Sequence, residues 1–328
     1  MPALALTLFG ATLITFVISH LIPTDVARLI AGDGASEAVV EGLRIKLGLD
    51  QPIWTQYGIY LSNLSRGDLG VSIRTGQPVL EELLRAAPAT IELAVTAFLI
   101  ILIASLALGV WAAITWNRAP DQIIRTLSTI AISSPTFWTA LILIGVFAVM
   151  LGWAPLGGRV DPELALPPAL TGFLVIDALL VGRLDVAGNA IAHLALPALT
   201  LALAATGSAI RLIRASLLET LGQDYVRRAR AAGLSEWRVM TRYALPNALI
   251  PFVTSLGLLL ADLIAGAVVT EMIFGWPGLG TYTLEAVAGL DFPAIMGFTL
   301  FAALVYAIAS FVIDLVNSML DPRARTGA

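Results

Sequence analysis

The chain has 328 residues, of which 58% are hydrophobic and only 13% charged, and its formal net charge is −4 at pH 7. A soluble domain usually carries about 25% charged residues, so this composition excludes an ordinary soluble protein. Together with a mean hydropathy of +0.88, it predicts an all-α integral membrane protein.

Residue types that support catalysis or metal binding are scarce. The chain has no cysteine, which excludes a disulfide framework and a Cys-based metal or redox site. His20 and His193 do not form the HExxH pair of a zinc protease, and Lys46, the single lysine, lies outside any glycine-rich loop of the P-loop type. We therefore expect no catalytic site, metal site or cofactor in this chain. If ATP drives its function, another polypeptide hydrolyses it.

Six apolar stretches are long enough, at 1.5 Å per residue, to cross a hydrocarbon core of about 30 Å. They are residues 3–22, 90–116, 127–153, 194–213 and 248–269, and a sixth that ends near residue 317. No basic segment precedes the first stretch and no clear cleavage site follows it, so we expect a retained span rather than a signal peptide.

The third stretch contains Ser133, Ser134 and Pro135. Proline removes one helical hydrogen bond and leaves a carbonyl group that must find another partner within the membrane. Two interpretations stay open. The helix is either kinked and stabilised by the serine hydroxyls, or broken so that polar groups face a translocation cavity.

Residues 224–251 carry five arginines between two apolar spans, and their local chemistry predicts two short helices joined by a sharp turn. Asp224 is suited to cap the first helix, and Gly233 follows it at a position that favours a left-handed backbone. Ser235 is suited to cap the second helix, with Glu236 in its first turn and Pro246 at its end. A DNA-reading helix-turn-helix would share this pattern, but its place between two membrane spans argues against a nucleic-acid partner.

Two acidic residues lie within predicted spans, where an ionised carboxylate is costly. We hypothesise that Asp262 faces a central cavity and contacts a cationic group of the substrate; the alternatives are burial against a neighbouring span, with a Ser or Thr partner, and protonation. Asp314 lies near the end of the sixth span, at the depth of Arg211, and we predict a structural ion pair between them.

The arginines fix the orientation. Six spans put both termini on one side, and that side collects most of the arginines in the short loops: Arg118, Arg125, the seven between 211 and 242, Arg323 and Arg325. The opposite short loop, 154–192, holds only Arg159 and Arg183. By the positive-inside rule, both termini are expected in the cytoplasm.

This orientation divides the chain into four parts. They are a first span (1–22), an extracytoplasmic segment with short amphipathic helices (23–88), a core with the other five spans (89–320) and a cytoplasmic tail (321–328).

Two motifs carry a resemblance to a known family. Ala-Arg-Ala-Ala-Gly at 229–233, with Leu-Ser-Glu and Ala-Leu-Pro-Asn-Ala after it, resembles the cytoplasmic coupling loop of binding-protein-dependent ABC importer permeases. The Glu, Phe and Trp-Pro-Gly-Leu-Gly of residues 271–280 resemble the turn between the last two spans of the dipeptide/oligopeptide/nickel branch. Arg230 stands where the general loop pattern has a glutamate, a departure typical of that branch.

The resemblance implies a type I importer permease fold, with six transmembrane helices and a cytoplasmic coupling helix, in the cytoplasmic (inner) membrane. It implies a second homologous permease subunit, two ATPase subunits that bind ATP and Mg, and an extracytoplasmic substrate-binding protein. Within a coupling loop at 214–247, it assigns contact with the ATPase to Asp224, Tyr225, Arg230, Ala231, Ala232, Gly233, Leu234, Ser235 and Glu236.

The substrate and the translocation pathway are the least specified parts of this interpretation. Di- or oligopeptides are the expected substrates, with a nickel chelate or glutathione as alternatives within the family. As a hypothesis, the pathway includes Ser133, Ser134, Asp262 and Glu271. A stand-alone secondary transporter is the rival class, although the sequence shows no convincing internal repeat. A membrane enzyme is less consistent, since no nucleophile–base pair is evident.

Overall fold

The computed structural model describes residues 2–21, 26–32, 34–46 and 48–320. Its regular structure in those ranges is helical, apart from a single antiparallel bridge between Val71 and Pro78. The prediction of an all-α protein is therefore confirmed.

Fifteen α-helices follow one another along the described ranges. They are α1 (Pro2–Leu21), α2 (Val26–Ala31), α3 (Glu37–Lys46), α4 (Ile53–Ser65), α5 (Val79–Ile114), α6 (Ala119–Ser133), α7 (Thr136–Leu143), α8 (Leu174–Leu180), α9 (Leu184–Leu221), α10 (Asp224–Ala231), α11 (Glu236–Val239), α12 (Leu245–Gly266), α13 (Val268–Phe274), α14 (Leu279–Ala288) and α15 (Phe292–Leu320). Two π-helical turns, Ile144–Met150 and Met240–Ala244, continue α7 and α11.

Four helical segments within the described ranges are long and apolar enough to cross a membrane: 79–114, 184–221, 236–264 and 292–312. A fifth span results if the bent pair α6 and α7 counts as one. Helix α1 occupies the first predicted span but is not among these segments. The count of six spans is therefore not confirmed and stays a prediction.

The third predicted span is not one helix. Helix α6 ends at Ser133, α7 begins at Thr136, and the two segments are bent by 109°. Proline disfavours a helical backbone at the residue before it, and Ser134 is extended, with φ −85° and ψ 123°. The Ser134 hydroxyl donates to the carbonyl of Ile130 at 2.8 Å and so satisfies one of the last carbonyls of α6. The interpretation as a kink within a continuous span is therefore wrong, whereas the role of a serine hydroxyl is confirmed.

The described residues pack as two compact units. One unit comprises Met1–Ala87 with Thr281–Ala307. Inside it, the turn at 71–78 is fixed by Asp291, whose carboxylate accepts hydrogen bonds from the Ser72 hydroxyl and the Arg74 backbone N–H. Tyr282 donates to Glu82 at 3.1 Å in the same unit.

The other unit comprises Pro88–Gly280 with Ile308–Ala328, and α9 is its central helix, packed against α6, α7, α8 and α12. Its apolar core includes the fully buried Leu93, Ile101, Ile213 and Trp276. Small residues allow close approach: a Cβ on Gly207 of α9 would lie 2.7 Å from the carbonyl oxygen of Ser128 on α6. This unit contains most of the predicted site residues.

Candidate functional site

The coupling loop forms a compact two-helix projection. Helix α10 ends at Ala231, Gly233 has a φ of +77°, and α11 begins at Glu236. Val226 and Ala229 of α10 pack against Val239 of α11, and all three side chains are buried. The bounds of α10 and α11 confirm the predicted helix–glycine–helix pattern. Val226 and Ala229 of α10 are three positions apart, so they lie on one face of the helix and are buried together.

Two local predictions for this loop, for Asp224 and Pro246, are wrong, and a third, for Ser235, is correct only in position. Asp224 is the first residue of α10 rather than its cap, which is Gln223, and no side chain caps the helix. Ser235 does occupy the N-cap position of α11, but its hydroxyl makes no capping bond. Pro246 does not end the second helix, since it lies in the first turn of α12, where its missing N–H costs nothing. The second helix therefore runs through the π turn directly into the membrane span.

A charged pair joins the two helices across the turn. The Nε and Nη2 atoms of Arg230 donate to the two carboxylate oxygens of Glu236 at 2.9 and 3.1 Å. This two-point contact was not predicted, because residues six apart meet only when the chain reverses at Gly233. Its exposed position makes it a modest contributor to stability, but it fixes the angle between the helices.

The outer face of the projection is open. Tyr225 and Ala231 of α10 and Ala232 directly after it are exposed, and Trp237 on α11 is 78% exposed. Trp237 was not among the predicted site residues. The sequence feature that could have identified it is a large aromatic residue two positions after Ser235, in the first turn of a short polar helix. Exposed aromatic side chains beside small residues are typical of surfaces that receive a partner.

Glu271 lies in the second motif and is fully buried. Its Oε1 accepts from the Thr90 hydroxyl at 2.6 Å, and its Oε2 accepts from the Gly280 N–H at 2.7 Å. Thr90 in turn accepts from the Leu279 N–H at 2.7 Å. The carboxylate thus anchors the turn after α13 to the start of the span in α5.

The glycines of this motif leave room for that anchor. A Cβ on Gly278 would lie 2.3 Å from Oε1 of Glu271, and one on Gly280 would lie 2.9 Å from its Oε2. Trp276 is also fully buried, and its ring N–H donates to the carbonyl of Ala89 at 2.9 Å. A side chain without exposed surface does not line a pathway in this conformation. Here Glu271 instead stabilises the turn through its buried hydrogen bonds.

Asp262 has the opposite environment. It is exposed on α12 and makes no hydrogen bond or ion pair within the described part of the chain. Ser255 and Leu259 precede it by seven and three residues, which places all three on one face of the helix. Ser255 and Leu259, with Ser208 of α9, line a groove of about 270 Å³ between α9 and α12.

The other two predicted pathway residues lie at the break after α6, where Ser133 is exposed and Ser134 is half-buried.

The predicted Arg211–Asp314 pair lies outside the described residues, because the side chain of Asp314 is not described. Arg211 is exposed. Its neighbour one turn on, Arg214, instead binds Asp121 on α6, with hydrogen bonds of 2.6 and 2.8 Å. Asp121 has no exposed surface. The sequence did not indicate this pair, because Asp121 and Arg214 are 93 residues apart.

The loop before α8 is joined to α9 by hydrogen bonds between its residues Gly157 and Asp161 and the ring of His193. The His193 ring contacts the Asp161 carboxylate at 3.1 Å and the carbonyl of Gly157 at 2.9 Å. Asn189 donates to the same carboxylate at 2.5 Å. Hydrogen bonds, first from Asn189 and second from His193, hold the pKa of Asp161 below its usual value.

Within the described ranges, His, Asp and Glu side chains form no group of three that could hold a metal ion.

Comparison with known proteins adds independent information. The family model described as "Binding-protein-dependent transport system inner membrane component" matches residues 105–326. A second model, for the N-terminal part of such membrane components, matches residues 2–94.

Curated relatives match nearly end to end. The chain is 49% identical to the "Probable D,D-dipeptide transport system permease protein DdpB" of Escherichia coli K12, over 99% of this chain and 95% of that protein. It is 40% identical to the "Di/tripeptide transport system permease protein DppB" of Pseudomonas aeruginosa, over 97% and 95%. It is 35% identical to the "Glutathione transport system permease protein GsiC" of Escherichia coli O6:H1, again over 97% and 95%.

A solved structure shares the fold. A chain of the MetNI methionine ABC transporter, in inward-facing conformations, superposes with a TM-score of 0.52 and 16% identity. The match covers 73% of this chain and 96% of that one.

Proposed function

The chain belongs to the family of inner membrane components of binding-protein-dependent transport systems, and we propose that it is one permease half of an ATP-driven importer for di- or oligopeptides. The substrate class rests on the relatives at 49% and 40% identity, whose names are those of dipeptide and di/tripeptide permeases. Glutathione is the second candidate, because a glutathione permease is 35% identical.

The observation that carries the coupling role is the two-helix projection between α9 and α12. Its two helices pack on each other and on Leu221 at the end of α9, so the projection has a defined shape, while Tyr225, Ala231 and Trp237 stay open to a partner. We assign the partner as a separate ATPase subunit, which binds ATP and Mg. Asp224, Arg230, Ala232, Gly233, Leu234, Ser235 and Glu236 complete the contact surface or hold its shape.

The assembly is proposed to contain two permease subunits, two ATPase subunits and an extracytoplasmic substrate-binding protein. Closure of the ATPases on ATP would shift the permeases between inward- and outward-open states, because the two states differ in how the spans pack. We also propose a multi-pass topology with both termini in the cytoplasm, which the arginine-rich loops support.

The groove between α9 and α12 is the proposed wall of the translocation pathway. Ser208 and Ser255 offer hydroxyl groups along an otherwise apolar surface, and Asp262 follows on the same face of α12. A carboxylate that has no partner among the described residues of a membrane span suits a cationic group, such as the free amine of a peptide. Replacement of Asp262 by Asn would then lower transport of peptides with a free amine but not of an N-acetylated analogue.

Co-purification with the candidate ATPase tests the proposed function. A proline at 233 fixes φ near −65° and removes the N–H that Gly233 donates to Arg230 at 2.9 Å. Gly233→Pro should therefore abolish recovery of the ATPase. Gly182→Pro is the matched control, because Gly182 also has a positive φ, +75°, but lies in the turn before α9.

Three outcomes separate the candidates. Loss of the ATPase with Gly233→Pro alone supports the coupling role. Transport without any ATPase would favour a stand-alone secondary transporter and overturn the proposal. If the complex assembles, uptake of a D,D-dipeptide, an L,L-dipeptide, glutathione and a nickel chelate then decides the substrate.

A further inference from the structure

A groove between α6 and α9 is lined by three arginines. Arg125, Arg211 and Arg214 line it together with Thr126, Thr129, Ile130 and Ala215, and its volume is about 600 Å³. This groove is separate from both the coupling projection and the α9–α12 groove. The positive-inside rule accounts for arginines on this side of the membrane but not for their convergence in one groove.

The positive charge in this groove exceeds what the described side chains neutralise. Among the described residues, Asp121 is the one carboxylate that reaches these arginines: Arg214 binds it directly, and Arg125 lies 3.9 Å from it. Arg211 is exposed and makes no hydrogen bond or ion pair within the described residues. Within the part of the chain that the structure describes, three guanidinium groups thus face one carboxylate, an excess of two positive charges.

The guanidinium groups are also the available hydrogen-bond donors. The hydroxyls of Thr126 and Thr129 donate to the carbonyls of Gln122 and Arg125 on their own helix. Arg214 uses only its Nε and Nη2 atoms on Asp121, and Arg211 uses none of its donors. A fork of planar donors with excess positive charge matches the oxygens of a phosphate group.

The position of the groove favours a lipid as the source of that phosphate. Arg211 and Arg214 follow the apolar part of α9, where the positive-inside rule places the cytoplasmic boundary. Ile130 and Ala215 add apolar surface next to the arginines. Basic pockets between membrane helices on the cytoplasmic side recognise anionic headgroups. We propose that this groove binds the phosphate headgroup of an anionic phospholipid; this inference rests on the proposed orientation of the permease.

The test uses the assembled transporter and native mass spectrometry. Short-chain phosphatidylglycerol, short-chain phosphatidylcholine and inorganic phosphate are each titrated against the complex. We expect the anionic lipid to bind more tightly than the zwitterionic lipid, and Arg211→Gln to weaken it about fivefold, the effect of one basic residue near a headgroup. Arg211 is exposed and makes no hydrogen bond or ion pair with the described residues, so this variant should fold normally.

Arg118→Gln is the matched control. Arg118 is exposed at the start of α6, on the same side of the membrane, and does not line the groove. It should leave lipid binding unchanged. Equal weakening by both variants would show only general surface charge and would overturn the site, as would no weakening by Arg211→Gln. Competition by inorganic phosphate as strong as by lipid would assign the groove to soluble anions and overturn the lipid.

The same experiment separates this inference from the proposed function. A complex that fails to assemble from the wild-type subunits contradicts the importer role, whereas a complete complex without selective lipid binding contradicts only the lipid site. If Arg211→Gln instead releases the second permease subunit, the groove is a subunit contact and the lipid proposal fails.

Discussion

Arg214 on α9 and Asp121 on α6 form an ion pair with hydrogen bonds of 2.6 and 2.8 Å, and the carboxylate has no exposed surface. The Asn117 N–H also donates to this carboxylate, at 2.9 Å. The pair therefore fixes the loop between α5 and α6 as well as the contact between α6 and α9.

We expect Asp121→Asn to destabilise the protein by about 3 kcal/mol, because it leaves the mostly buried Arg214 without its counter-charge. Unfolding in detergent can be followed through the seven tryptophans. The control is Asp185→Asn, which breaks the exposed pair with Arg183 and should change stability far less, because solvent screens an exposed pair. Equal effects of the two substitutions would show that Asp121 is no more important than a surface charge.

Gly278→Ala should strongly reduce the amount of folded protein, because its Cβ would overlap the Glu271 carboxylate and the Thr90 hydroxyl. Overpacking of this kind costs about 1–3 kcal/mol or more. Gly188→Ala on α9 is the control: nothing lies within 4 Å of its Cβ, so alanine should be neutral or slightly stabilising. Normal yield and thermal stability of Gly278→Ala would contradict the structural role of Glu271.

The Arg230–Glu236 pair predicts a charge-swap result. Arg230→Glu should place two carboxylates together across the turn and lower substrate-stimulated ATP hydrolysis, with little effect on stability because the pair is exposed. The double variant Arg230→Glu with Glu236→Arg should restore the activity. If the double variant stays inactive while the protein is folded, Arg230 acts on the partner subunit rather than on Glu236.

Asp161 predicts a local acid sensitivity. Its pKa is lower in the folded chain than in the unfolded chain, through hydrogen bonds from Asn189 and then His193. Its stabilising effect is therefore present above the usual pKa of about 3.9 and is lost as the pH falls through the folded value. Hydrogen exchange in residues 157–164 should rise below about pH 4 in the wild type. Asp161→Asn should raise exchange already at neutral pH, and Glu163→Gln, a substitution of a nearby exposed acid, should not.

Features set by residues close together in the sequence, such as turns and helix ends, could be predicted. Gly233 and the N-cap position of Ser235 were predicted correctly, because a left-handed glycine and a cap position are local preferences. The contact between Glu271 and Thr90 was not predicted, because the two residues are 181 positions apart. Asp121 and Arg214 are 93 residues apart, and only the packing of α6 on α9 brings them together. Pro135 signalled a break after α6, but the 109° bend depends on tertiary packing that no local rule supplies.

The run from Glu236 to Ile264 is continuous helix, from the coupling projection into the membrane, with a π turn near its start. At 1.5 Å per residue, about 39 Å separate Glu236 from Asp262 along this axis. If this helix moves as a rigid body, a tilt of about 5° at the projection displaces Asp262 by about 3 Å. Small movements of the cytoplasmic end are thereby converted into movements at membrane depth that approach the width of a water molecule.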